Sequence, residues 1–118
     1  MEDYGTGYIL TEMWSALPSW LALSRADRQA FFDEKIGPYI GTMVAEGAEF
    51  LACAVNDNDG DAASAYSYMA VWKLPNKAFA DTLQAGSRET GFLDYFDQAN
   101  FSGVMTTPPV MNGHMIDL

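Results

Sequence analysis

Few side chains in this 118-residue chain can exchange a proton near neutral pH, and two of them sit among residues that could make a site. Glu12 interrupts the otherwise apolar run Tyr8-Ile-Leu-Thr-Glu-Met-Trp14. A carboxylate in such a run is costly unless paired or protonated, so Glu12 is a candidate general acid or base, or a group that orients a substrate hydroxyl. The structural alternative is an ion pair, with Lys73 as the candidate partner, or exposure on an edge strand. His114 is the only histidine and follows Asn112-Gly113 in the C-terminal tail. Its titration range suits acid–base catalysis at a cavity mouth; the alternative is a solvated tail residue. Tyr68 is the candidate polariser, its hydroxyl able to donate to a carbonyl or phenolate, and Tyr66 and Trp72 share its row as pocket walls or interface packing. Trp14 and Trp20, two of the three tryptophans, flank the connection "SALPS". There they either wall a flat or apolar ligand or clasp the helix that follows.

Other chemistries lack their residues. "DNDGD" at 57–61 has the composition of a calcium loop, but counting from Asp57 puts Ala62 at the glycine position and Tyr68 where a bidentate glutamate belongs. It reads as a solvated hairpin loop. One histidine offers no pair to hold zinc or iron, and there is neither a nucleophile elbow nor a Gly-rich phosphate loop. Cys53, the single cysteine, falls in an apolar strand and reads as an inert core thiol. The expectation is a site with no metal and no cofactor.

Composition narrows the partners. The 16 acidic residues against 6 basic ones give a formal charge of −10, scattered along the chain, which repels nucleic acid, anionic membranes and polyanionic substrates. No apolar run approaches ~18 residues, and Met1-Glu2-Asp3 does not open a secretory signal, so a cytoplasmic protein with no membrane association is expected. With 49% apolar residues over this length, one domain spanning 1–118 is expected, with a C-terminal extension after about residue 107.

The elements that must position these side chains follow from periodicity. Residues 8–14, 49–55, 66–74 and 101–106 read as strands. Ser24-Arg-Ala-Asp27 is an N-cap pattern, and Phe32, Ile36, Ile40, Met43 and Val44 would form the apolar face of the helix it starts. Gly37-Pro38 predicts a kink in that helix and Gly47 its stop. Pro75-Asn76 opens a second helix, with Phe79, Ala80 and Leu83 facing inward, and "FLDYFDQA" reads as an extra helical turn. The order β-α-β-β-α-β is that of an α+β ferredoxin-like sandwich. Alternation leaves both sheet faces too apolar for permanent exposure, although helices can cover only one. A homodimer with two sheets closing on each other is therefore expected.

The element order, "YILTEMW" as first strand, "YSYMAVWKLPN" running from third strand to second helix, and "GFLDYFDQANFSG" before the last strand resemble the dimeric α/β-barrel superfamily. That superfamily includes antibiotic-biosynthesis monooxygenase-like proteins, muconolactone isomerases and plant-type polyketide cyclases. "EMWSALPSWLALS" with "GFLDYFDQ" resembles a group of small, poorly characterised bacterial proteins within it. The resemblance implies a hydrophobic cavity in each subunit. It departs from the haem-degrading branch, because Thr11 and Glu12 stand on strand one and no histidine falls in helix two, although Trp72 matches the strand-three tryptophan. The function expected is a cofactor-independent isomerase, cyclase or lyase acting on a small apolar or aromatic molecule. A non-catalytic small-molecule binder and a cofactor-free oxygenase are the alternatives.

Overall fold

The computed structural model describes residues 7–118. Strands β1 (Tyr8–Ala16), β2 (Glu49–Val55), β3 (Tyr68–Leu74) and β4 (Phe96–Val104) form a 4-stranded antiparallel sheet in the order β2-β3-β1-β4. Helices α1 (Pro18–Leu21), α2 (Arg25–Phe31) and α3 (Gly37–Ala45) connect β1 to β2; α4 (Lys77–Glu89) and α5 (Phe92–Tyr95) connect β3 to β4; α6 (Pro108–Ile116) follows β4. This is a ferredoxin-like α+β fold. Among the described residues, no helix is long and apolar enough to cross a membrane.

Local signals set the helix boundaries. Ser24 Oγ accepts from Asp27 N at 3.1 Å to start α2, and Asn76 Oδ1 accepts from Phe79 N at 2.9 Å to start α4. Each satisfies a helix N–H that has no intrahelical partner. The kink expected at Gly37-Pro38 takes the form of a π-helical turn over Phe32–Ile36, where Gly37 N donates across five residues to Phe32 O. Pro38 has no N–H for Glu34 O and its ring crowds that carbonyl, so the chain widens before α3 begins. Gly47 ends the second half of this arm at φ 122°, a conformation that favours glycine.

The period-two rows place Tyr8, Leu10, Glu12 and Trp14 of β1 on the same face as Ala70, Trp72 and Leu74 of β3, under the helices. Leu10 and Leu74 are fully buried there with Trp72, Met43, Ala80 and Leu83. A second cluster, Trp20, Phe92 and Phe96, joins α1 and α5 to the start of β4. The other sheet face carries Ile9, Thr11, Met13, Met69 and Val71, half-buried, and Phe101, 72% exposed; among the described residues no helix covers it.

Three expectations need correction. β3 begins at Tyr68, leaving Tyr66 in the preceding loop. β4 begins at Phe96, five residues before residue 101, because the helical turn stops at Tyr95 and Phe96 stacks on Phe92 at 4.4 Å between ring centres, a contact that the extended backbone allows. Cys53 is exposed, as is every residue of the edge strand β2, although Phe50 also packs on Trp72. The C-terminal extension forms α6, which leaves Val110, Met111, Met115 and Ile116 exposed on this chain.

Candidate functional site

Glu12 occupies the centre of the helix-facing side, directly opposite Ala70 on β3 and Asn100 on β4. Its diagonal neighbours reach it across the strands. Trp72 Nε1 donates to Oε1 at 3.0 Å and Gln98 Nε2 donates to Oε2 at 3.0 Å, in a setting that leaves Glu12 only 9% exposed. Burial pushes the Glu12 carboxyl above its ordinary range, and the two hydrogen bonds pull less strongly the other way. Lys73 does not pair with it: Lys73 is opposite Ile9 on the far face of the sheet.

Above this carboxylate lies a cavity of about 390 Å³. Its floor is Glu12, Trp14, Ala70 and Trp72; the small Ala70 leaves the space that a larger residue would fill. Phe32 and Ile36 enter from the π turn, and Tyr39, Ile40 and Val44 from α3. Leu83, Gly86, Ser87 and Thr90 of α4 and its C-terminal end form the opposite wall, and Phe50, Phe92 and Gln98 complete it. A Cβ at Gly86 would overlap the Tyr39 ring, so glycine is what lets Tyr39 lie across α4 and donate its hydroxyl to Thr82 O at 3.0 Å. Burial raises the Tyr39 phenol pKa, and the negative charges of Glu89, Glu12 and Glu46 raise it further.

Ionised, the carboxylate accepts both the indole and the amide hydrogen and keeps lone pairs free. Protonated, it must hold its proton on a position those two donors do not use. Either form can exchange a proton with a molecule in the cavity, and its burial favours the neutral form more than water would.

The structure brings Glu12, Trp14 and Trp72 together and separates the other residues expected with them. Trp20 is buried among Phe32, Tyr95 and Phe96, with ring centres 4.7–5.6 Å away, and supports the cavity through Phe32 without lining it. It is the clasp for the helical arm, also receiving Arg28 Nε on its carbonyl at 3.1 Å. Tyr68 lies beside Trp14 at 6.1 Å between ring centres, and with Tyr66 lines a separate depression of about 270 Å³ at the hairpin end. His114 is exposed on α6 and does not line the cavity. The 57–61 loop is held by its own turns: Asn56 donates to Ser64 O and Tyr66 O, and Asn58 Oδ1 accepts from Gly60 N. Among the described residues, no group of three or more His, Cys, Asp or Glu is placed to hold a metal ion.

Gln98 was missed from sequence because residues 92–99 read as a helical turn. The alternation Phe96, Gln98, Asn100, Ser102 was the available signal, and on it these four share one face of β4.

The fold and site define an α+β ferredoxin-like protein with an apolar cavity floored by one buried carboxylate. The chain belongs to the family described as "Family of unknown function (DUF6616)", whose model matches residues 7–118. No curated protein matches it. Among solved structures it is similar to a crystal structure provisionally described as a chlorite dismutase, with a TM-score of 0.64 and 16% identity over 86% of this chain. This chain spans 44% of that structure's length.

Proposed function

We propose that this chain is a cofactor-independent enzyme that binds a small apolar or aromatic molecule and performs acid–base chemistry on it, of isomerase, cyclase or lyase type. The observation that carries this reading is Glu12, a buried carboxylate hydrogen-bonded by Trp72 and Gln98 under an apolar cavity of about 390 Å³. Glu12 is the only titrating carboxylate or histidine lining that cavity among the described residues. Proton removal and return then fall to one group, which suits a proton shift along one face of a substrate. Trp72 and Gln98 hold the carboxylate in place, and Trp14, Trp72 and Phe92 present flat apolar walls. Ser87 offers a hydroxyl from α4 to orient a polar substituent.

A non-catalytic binder is the second reading, favoured by the same scarcity of titrating groups. Incubating the purified protein with the ligand it carries from its host, identified by mass spectrometry after denaturation, separates the two. An enzyme converts added ligand and Glu12→Gln slows turnover by about 10²-fold or more; a binder returns it unchanged. A His114→Ala variant with wild-type turnover is expected. An equal loss there would instead bring α6 of a second copy into the site.

The working unit in this reading is a homodimer formed through the uncovered sheet face. That face carries Met13, Met69, Val71 and Phe101, with no helix among the described residues above them.

A further inference from the structure

We propose that the Glu12 cavity selects ligands bearing a positively charged nitrogen, an organic ammonium or a protonated nitrogen heterocycle, over neutral and anionic molecules of the same size. This rests on the reading that the cavity binds a small molecule, and it names the charge class of that molecule.

Three independent features of the cavity converge on a cation. First, its lining contains one carboxylate and, among the described residues, no Lys, Arg or His. Glu12 is therefore held by neutral donors only, Trp72 Nε1 and Gln98 Nε2, and its charge has no counter-charge in the cavity. A buried carboxylate without a cation is a costly arrangement, and a ligand that supplies the cation relieves it. Second, six aromatic side chains line the same space: Trp14, Phe32, Tyr39, Phe50, Trp72 and Phe92. The negative faces of such rings attract ammonium groups, Trp most strongly. Third, the acidic field continues beyond the floor. Glu46 and Glu89 act on the Tyr39 hydroxyl in the cavity wall, together with Glu12. The formal charge of −10 adds a long-range attraction for cations and a barrier to anions. An anionic ligand would meet Glu12 with no basic residue to neutralise either partner. A neutral ligand would leave the carboxylate as it is.

The test uses three molecules of one shape, benzylamine, benzyl alcohol and benzoate, titrated against the 118-residue chain at neutral pH, with binding read by tryptophan fluorescence and calorimetry. Benzylamine should bind about tenfold or more tighter than benzyl alcohol, the scale of one desolvated cation–π contact, and benzoate should not bind. Glu12→Gln should lose most of the preference for benzylamine over benzyl alcohol. Lowering the pH on the unaltered protein gives the same comparison without relying on the variant's folding. As Glu12 protonates, with Glu46 and Glu89 as the other carboxylates acting on the cavity wall, the preference should shrink while benzyl alcohol affinity holds. Glu46→Gln and Glu89→Gln should each reduce it less than Glu12→Gln does. Benzyl alcohol or benzoate binding as tightly as benzylamine would overturn charge selection and leave the small-molecule reading standing. A benzylamine preference that survives Glu12→Gln would overturn it too. Binding by none of the three would overturn both.

Discussion

Replacing one carboxyl oxygen of Glu12 by an NH₂ group, as in Glu12→Gln, separates the electrostatic cost of this residue from its chemistry. Folding raises the Glu12 pKa through burial, so the native chain binds a proton more tightly than the unfolded one. Stability linked to this group is therefore fully present below the ordinary glutamate range and declines as pH rises through the raised folded value. Glu12→Gln should flatten that decline, measured as urea midpoints across the acid-to-neutral range; an unchanged slope would show that other groups set it. The variant can fold, because the introduced amide can accept from the Trp72 indole through its oxygen while the Gln98 amide turns its own oxygen to the new NH₂ group. Trp72→Phe is the complementary change. It removes the indole donor, keeps an aromatic ring, and should push the Glu12 pKa further upward, visible as a shift of the same pH profile toward neutrality. Glu12 was legible from sequence as the one charge in an apolar strand. Its partners were not equally so: Trp72 stood out by type, but Gln98 depended on the register of β4, which only the assembled sheet fixes.

At the scale of elements, the π turn and the glycine of α4 shape two walls of the cavity. Phe32, Ile36, Ile40 and Val44 all line it, at intervals of four. Four residues overshoot an α-turn by about 40°, so three such steps in an unbroken α-helix would swing the row by about 120°. The wider turn at Phe32–Ile36 offsets part of that rotation and keeps Phe32 on the cavity side. The Gly37-Pro38 signal predicted a kink, and the widening that forms there lets the apolar row continue on both sides of it. Gly86→Ala tests the opposite wall. Helix propensity favours alanine by about 1 kcal/mol, whereas the new methyl displaces the end of the Tyr39 ring and its bond to Thr82 O. The expected result is a Tm close to wild type with ligand affinity reduced about tenfold, and a variant that binds like wild type would show that Tyr39 does not shape the site. Ser24→Ala should cost about 1 kcal/mol in chemical denaturation by removing the α2 cap. The caps at Ser24 and Asn76 could be read from sequence because they are local. The placement of Trp20, Tyr68 and His114 could not, because it depends on which surfaces close on one another.

For the whole molecule, the uncovered sheet face and the exposed α6 belong to one question, since a second copy could cover both. Four strands at about 4.8 Å spacing and about seven residues long span roughly 450 Å², short of the ~800 Å² per partner of a stable interface. The apolar residues of α6 would supply the rest. Light scattering should therefore find a dimer at micromolar concentration, and a chain ending at Thr107 should dissociate at least tenfold more readily while keeping its far-ultraviolet spectrum. A folded monomer of the 118-residue chain would exclude this assembly; an equally tight dimer without α6 would exclude the role of the tail. The reach of sequence ends at this scale, because an apolar outward row announces a partner without naming it. Strand β2 carries a further consequence. Its residues 49–55, Glu-Phe-Leu-Ala-Cys-Ala-Val, form an exposed edge with one charge and no proline, the kind of edge that invites another strand to pair with it. Mutual repulsion between acidic chains is what opposes such pairing at neutral pH, and it vanishes near the isoelectric point of about 4.1. Acidification toward that value should thus convert a clear solution into strand-rich, thioflavin-positive aggregate, and Ala52→Lys should delay it, making the chain's surplus of carboxylates its solubility device.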